Sequence, residues 1–116
     1  MIKAGCMKKR TNYYERHRRY YFTAHEKITA TLNNKNKVIP LNISQSGFAF
    51  QCESELDIDL ETQINIKIEW PRHKIVMELT AEVIWIIDDN TGVIFTNITQ
   101  EQEDKLERLI AVKISA

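Results

Sequence analysis

Little in this chain of 116 residues cross-links or punctuates it: there are two cysteines, two prolines and three glycines. Cys6 and Cys52 have no short-spaced partner, which excludes a disulfide framework and a cysteine metal knuckle and leaves two reduced thiols. With only Gly5, Gly47 and Gly92 available, no glycine-rich phosphate loop exists, so a nucleoside triphosphatase built on one is excluded. The three histidines, His17, His25 and His73, lack the spacing with an acid that marks a zinc hydrolase. No Ser-His-acid or Cys-His signature stands in the sequence either. The expectation is a non-catalytic protein with no metal and no cofactor.

Long hydrophobic runs are missing as well. Stretches such as Val83-Ile84-Trp85-Ile86-Ile87 fall far short of the ~20 residues a membrane helix requires, and no apolar run follows the positive charges of MIKAGCMKKR. The chain therefore reads as cytoplasmic, without membrane insertion. Its length, with 43% hydrophobic and 28% charged residues, suits one domain with one core.

Net charge is also absent, at a formal value of zero, but its distribution is uneven. Residues 1 to 20 hold seven lysines and arginines against the single acid Glu15, a local +6 that the remaining residues balance with −6. Clustered like charges repel unless a partner neutralises them, so this basic segment reads as a local anion site or a solubilising tail. At its centre is NYYERHRRYY, residues 12 to 21. Arg16, Arg18 and Arg19 offer guanidinium forks for phosphate oxygens or a guanine edge. Tyr13, Tyr14, Tyr20 and Tyr21 offer faces on which a base can stack.

Periodicity gives the rest of the chain its shape. Ile28 to Leu32 alternates apolar with polar and meets the polar turn Asn33 to Lys37; Val38 to Ile43 resumes extended character, so a hairpin is expected. Gly47 opens Phe48-Ala49-Phe50-Gln51-Cys52, a strand whose aromatics share one face. Residues 53 to 61, ESELDIDLE, read as an edge strand or an extended loop with a solvated acidic face; they lack the glycine and spacing of a calcium loop. Ile64 to Trp70 alternates cleanly up to Pro71, and Lys74 to Ile87 continues at period two over a length that suggests a bulge. Asp88 to Gly92 reads as a turn into Val93 to Thr96. Thr99 and Gln102 then have the form of a capping box, with Leu106, Leu109, Ile110 and Ile114 on one side of a helix. Several strands and one terminal helix point to an antiparallel barrel or sandwich. The first ~20 residues, without periodicity, read as a flexible arm (residues 1–20) before the barrel and helix (residues 21–116).

One further stretch draws attention, Asn42-Ile43-Ser44-Gln45-Ser46-Gly47 between two predicted strands. Its short polar side chains suit an ordinary turn or the edge of a ligand. In this order, an arginine cluster, then Asn42-x-Ser44-x-x-Gly47, then Ala81-x-Val83-x-Trp85 and Gly92-Val93-Ile94-Phe95, the sequence resembles the PilZ family of cyclic di-GMP receptors over residues ~15 to 110. The resemblance implies a six-stranded antiparallel β-barrel of the split-barrel type with a C-terminal α-helix. It also implies a dinucleotide clamp made by Arg16, Arg18 and Arg19 with Asn42, Ser44 and Gly47. The family's arginine motif is Arg-x-x-x-Arg, and no two arginines here are four apart: Arg18 in its first position puts Phe22 in its second, and Glu15 in its first puts Arg19 in its second.

Two functions follow from the resemblance. One is a receptor in which cyclic di-GMP neutralises the arm and folds it onto the barrel, so that an unidentified protein partner is engaged in motility, adhesion or exopolysaccharide control in a bacterium. The other is an adaptor that does not bind the nucleotide and works through protein contacts. A barrel for single-stranded nucleic acid would use the same arginines and tyrosines, but a strand must track along a longer basic groove than this arm, so neither DNA nor RNA is an expected partner.

Overall fold

Alternating apolar side chains give this chain's sheet one dry face, which must be covered or closed on itself. The computed structural model describes residues 18–52 and 58–115 and shows that closure. The strands are β1 (Tyr20–Tyr21), β2 (Thr29–Leu32), β3 (Asn36–Ile43), β4 (Gly47–Gln51), β5 (Gln63–Trp70), β6 (Ile75–Ile87) and β7 (Asn90–Thr96), followed by helix α1 (Gln100–Ser115). Every pairing is antiparallel, in the order β1-β3-β2-β5-β6-β7-β4, and β4 returns to pair with β3. Strands β2 to β7 thus make a closed six-stranded barrel, while the two-residue β1 lies beside the end of β3 with Tyr20 opposite Ile43. Closure removes most of the free edge that an open sheet would expose.

Local chemistry sets the corners. Asn33 and Asn34 both take left-handed angles, φ 52° and 58°, and Lys35 N–H donates to the Leu32 carbonyl at 2.9 Å, the geometry of a tight hairpin turn that asparagine tolerates. After β5, Pro71 opens a single 3-10 turn, Pro71–His73, that reverses the chain into β6. The long β6 serves two partners, pairing β5 from Ile75 to Glu82 and β7 from Thr80 to Ile87, with the expected irregularity between Val83 and Trp85. The β6–β7 connection is shorter than the pattern suggests. Only Asp88 and Asp89 turn, with Asp88 at φ 54°, and Gly92 lies inside β7 opposite Trp85. Its place in a strand has a steric reason: an added Cβ would sit 2.1 Å from the Trp85 indole, which covers the glycine. Residues 58 to 62 form no strand; Thr62 N–H donates to the Asp59 carbonyl in a turn, and residues 53–57 lie outside the described residues.

The core is the barrel interior. Ile64, Ile66, Ile68 and Trp70 of β5 face Ile75, Met77, Leu79, Ala81 and Val83 of β6, all buried, and Phe48 and Phe50 of β4 meet within it at a ring separation of 6.0 Å. Helix α1 covers part of this core with Leu106, Leu109 and Ile110. Its start is held by the capping box: Gln102 N–H donates to Thr99 Oγ1 (3.1 Å) and Thr99 N–H to Gln102 Oε1 (2.8 Å). Ile114, expected on the same apolar side, is instead exposed. Tyr20, expected as the last residue of the arm, is half-buried on the sheet, and residues 1–17 lie outside the described residues.

Candidate functional site

The polar motif spans the three-residue connection, Ser44 to Ser46, between β3 and β4. Ser44 is nearly inaccessible, and its Oγ accepts from the Ser46 and Gly47 N–H groups at 3.2 and 3.1 Å, while its own N–H donates to the Gly47 carbonyl at 2.9 Å. A hydroxyl that satisfies turn amides in this way fixes the loop without help from solvent. Ser46 Oγ lies 3.4 Å from Ser44 Oγ, and the Ser46 carbonyl accepts from Phe95 N–H at 2.9 Å, tying the loop to β7. Gly47 is required by that approach. A Cβ there would lie 2.4 Å from the Val93 carbonyl oxygen, closer than any real side-chain carbon sits.

Asn42, at the end of β3, carries the side chain that reaches out of this turn. Its Oδ1 accepts a hydrogen bond of 3.0 Å from Arg19 Nη1, across 23 residues of sequence. Arg19 is positioned by the strand that follows it: Tyr20 and Tyr21 pair with Ile43 and Asn42, and Phe22 N–H donates to the Leu41 carbonyl at 3.0 Å. Short β1 therefore sets the basic segment against the polar loop. Arg18 is exposed and turns aside, its guanidinium 5.8 Å from the centre of the Tyr20 ring in cation–π contact. Arg16 lies outside the described residues, as do Tyr13 and Tyr14. Of the six residues singled out from the sequence, the structure thus gathers Arg19, Asn42, Ser44 and Gly47, with Arg18 next along the chain.

Phe22, which stands where the arginine motif would place its second guanidinium when Arg18 is first, is an inward-leaning ring. It packs on the core at 6.4 Å from the Phe48 ring centre. A cation nonetheless lies over it: Lys113 Nζ of α1 is 5.2 Å from the ring centre, donates to the Tyr21 carbonyl at 2.6 Å and pairs with Glu26 Oε2 at 2.6 Å. Both partners are largely shielded from solvent. Burial on its own raises the Glu26 carboxyl, but hydrogen bonds from Lys113 and from the Thr23 amide, with the Lys113 charge, outweigh it and hold the group below its ordinary value. Sequence reasoning did not find Lys113 or Glu26. They are 87 residues apart, and each alone reads as a solvated charge.

This geometry, a closed six-stranded barrel whose basic N-terminal segment meets an Asn-x-Ser-x-x-Gly loop, agrees with the sequence match. Residues 14–112 match the PilZ domain. The chain belongs to the PilZ domain family. Among solved structures, the PilZ chain is similar to an uncharacterized Legionella protein, Lpg0364, with TM-score 0.64 and 24% identity over 84% of this chain and 95% of that one. It is also similar to the Bacillus subtilis inhibitor of motility MotI/DgrA (TM-score 0.70, 16% identity, 92% of this chain and 52% of that one). A third likeness is to Escherichia coli YcgR, solved in complex with c-di-GMP (TM-score 0.69, 16% identity, 86% of this chain and 46% of that one). The chain spans about half the length of MotI and YcgR. At these identities the likeness establishes the fold. No curated protein sequence matches the chain. Among the described residues of this PilZ domain no helix is long and apolar enough to cross a membrane, and no cluster of three metal-ligating side chains forms.

Proposed function

We propose that this PilZ domain is a non-catalytic cyclic di-GMP receptor that relays the second messenger to a protein partner. The observation that carries the reading is the 3.0 Å bond between Arg19 and Asn42, which unites the arginine segment and the polar loop at one place on the barrel. Ligand phosphates and a guanine edge are met by Arg19, Arg18 and Arg16, whose forks suit both groups. Asn42 supplies an amide to the opposite wall. Ser44 and Gly47 act mainly by holding that wall: one satisfies the turn, the other lets β4 close against Val93. Family membership and the likeness to YcgR, a protein solved with the nucleotide, support the ligand; the likeness to an inhibitor of motility supports an output in bacterial motility, from the cytoplasm.

Calorimetric titration of cyclic di-GMP tests this. Saturable binding that Arg19→Ala and Asn42→Ala each weaken about 10- to 100-fold is expected, the loss of one charge-assisted hydrogen bond of about 1.5–3 kcal/mol. Absence of heat at millimolar nucleotide, with the protein folded, overturns the receptor. A second reading, an adaptor that works without the nucleotide, is favoured by Phe22: the position holds a partly buried apolar ring packed against the core in place of a guanidinium. That reading predicts partner binding that is unchanged by the nucleotide and by Arg19→Ala.

A further inference from the structure

Strand β6 has strand neighbours on both sides for only part of its length. On one side β5 lies along Ile75 to Glu82, whereas on the other β7 begins at Thr80, opposite Thr96. Beside the first residues of β6 runs helix α1, and two of its side chains bond to backbone carbonyls there. Gln102 Nε2 donates to the Glu78 carbonyl at 2.7 Å, and Arg108 Nη2 donates to the His73 carbonyl at 3.0 Å. Backbone polar groups alternate in direction along a strand, so a Glu78 carbonyl turned toward α1 places the N–H and C=O of Val76 on that same side. No strand pairs with them there.

Between these two anchoring bonds opens a cleft of about 230 Å³ lined by Lys74, Ile75, Val76, Lys105 and Arg108. Val76 is 47% exposed. Three of the five lining residues are cations. Lys105 has a loose 3.8 Å contact with Glu101 one helical turn back, and among the described residues no carboxylate pairs with Lys74 or Arg108. A stretch of strand edge with no strand neighbour, an exposed β-branched residue and three cations with little neutralisation occur together in a chain whose residues after position 20 sum to −6. The cleft is smaller than the roughly 300–1,000 Å³ of sites that enclose small ligands, and its basic rim is too short for a nucleic-acid strand.

We propose that this cleft is a docking slot for an extended, acidic segment of a partner protein. The segment adds to β6 as a short strand through the backbone of Val76, sets an apolar side chain on Val76, and places carboxylates against Lys74, Lys105 and Arg108. None of these residues belongs to the Arg19–Asn42 site, so the slot stands whether or not the nucleotide binds. The test uses isotope-labelled protein and a blocked hexapeptide of alternating glutamate and valine, followed by amide resonances. The expected result is a saturable shift of the Val76 amide with slowed hydrogen exchange there, affinity at least tenfold weaker in the double variant Lys105→Gln, Arg108→Gln, and no response to the same peptide with lysine for glutamate. Lys105→Glu, at an exposed helical position, serves as the variant if the double one unfolds. No Val76 shift at millimolar peptide, an equal response to the lysine peptide, or unchanged affinity in the variants overturns the proposal. So does the same Val76 shift on adding inorganic phosphate, which would make the cleft a small-anion site.

Discussion

Gly47→Ala and Gly92→Ala add the same methyl group to the same barrel, and the structure predicts different costs. At Gly47 the new Cβ meets the Val93 carbonyl oxygen at 2.4 Å. That oxygen belongs to β7, whose register with β4 is held by the Gly47–Ile94 and Phe48–Val93 pairs, so the backbone itself must retreat by close to an ångström. Overpacking of this kind costs about 1–3 kcal/mol. At Gly92 the obstacle is the ring of Trp85, a half-exposed side chain that can swing outward, and replacing a glycine inside a strand returns about 0.5–1 kcal/mol of backbone entropy. The expected losses are about 2 kcal/mol for Gly47→Ala and under about 1 kcal/mol for Gly92→Ala, or a fall of about 8–12 °C against a few degrees in Tm for a domain of this size. Urea unfolding followed by circular dichroism and by tryptophan fluorescence measures both. Gly92→Ala should in addition shift Trp85 emission to the red in the folded state, whereas Gly47→Ala should leave the folded spectrum unchanged, since Trp70 is buried elsewhere in the core. Equal midpoints, or a larger loss for Gly92→Ala, would refute the argument that the approach of β4 to β7 is what selects glycine at the end of the polar motif.

Further outcomes concern the charges and caps. Because the folded Glu26 carboxyl lies below its ordinary 4.5, the stability that it contributes with Lys113 is present at neutral pH and is lost as pH falls through the folded value. Glu26→Gln should therefore cost about 1–3 kcal/mol at pH 7 and flatten the decline in stability below pH 4.5, read from denaturation midpoints across pH; an unchanged acid profile would remove the pair from the account. Phe22→Arg restores an arginine four residues after Arg18 but removes a ring from the core and sets a second cation beside Lys113. It should lose about 2–4 kcal/mol in chemical denaturation, and stability equal to the parent would show that the position is free to serve a ligand. Thr99→Ala breaks the capping box and should cost about 1 kcal/mol in the same assay, a loss confined to stability with nucleotide affinity unchanged by calorimetry.

The sequence by itself determined the barrel strands, though not the short β1, together with the helix and an antiparallel barrel or sandwich, because each rests on a local period: Ile64 to Trp70 alternates, Thr99 and Gln102 cap, and a sheet with one dry face must close or be covered. It determined the polar loop as well, since Ser44 and Gly47 satisfy demands that arise within four residues. Boundaries that depend on a neighbour were not legible. Asp88 to Gly92 has the composition of a long turn, yet Gly92 is a strand residue because Trp85 of the next strand needs its surface bare. Ile114 has the period of a core residue, yet it is exposed one residue before the helix ends. The tertiary structure alone decided which arginine meets the loop. Arg18 and Arg19 are neighbours of the same chemistry, and only the pairing of Tyr20 and Tyr21 with Ile43 and Asn42 turns Arg19 toward Asn42 and leaves Arg18 over Tyr20. It also decided that Lys113 lies over Phe22, a contact between the two ends of the chain that closure of the barrel brings together and no local pattern encodes.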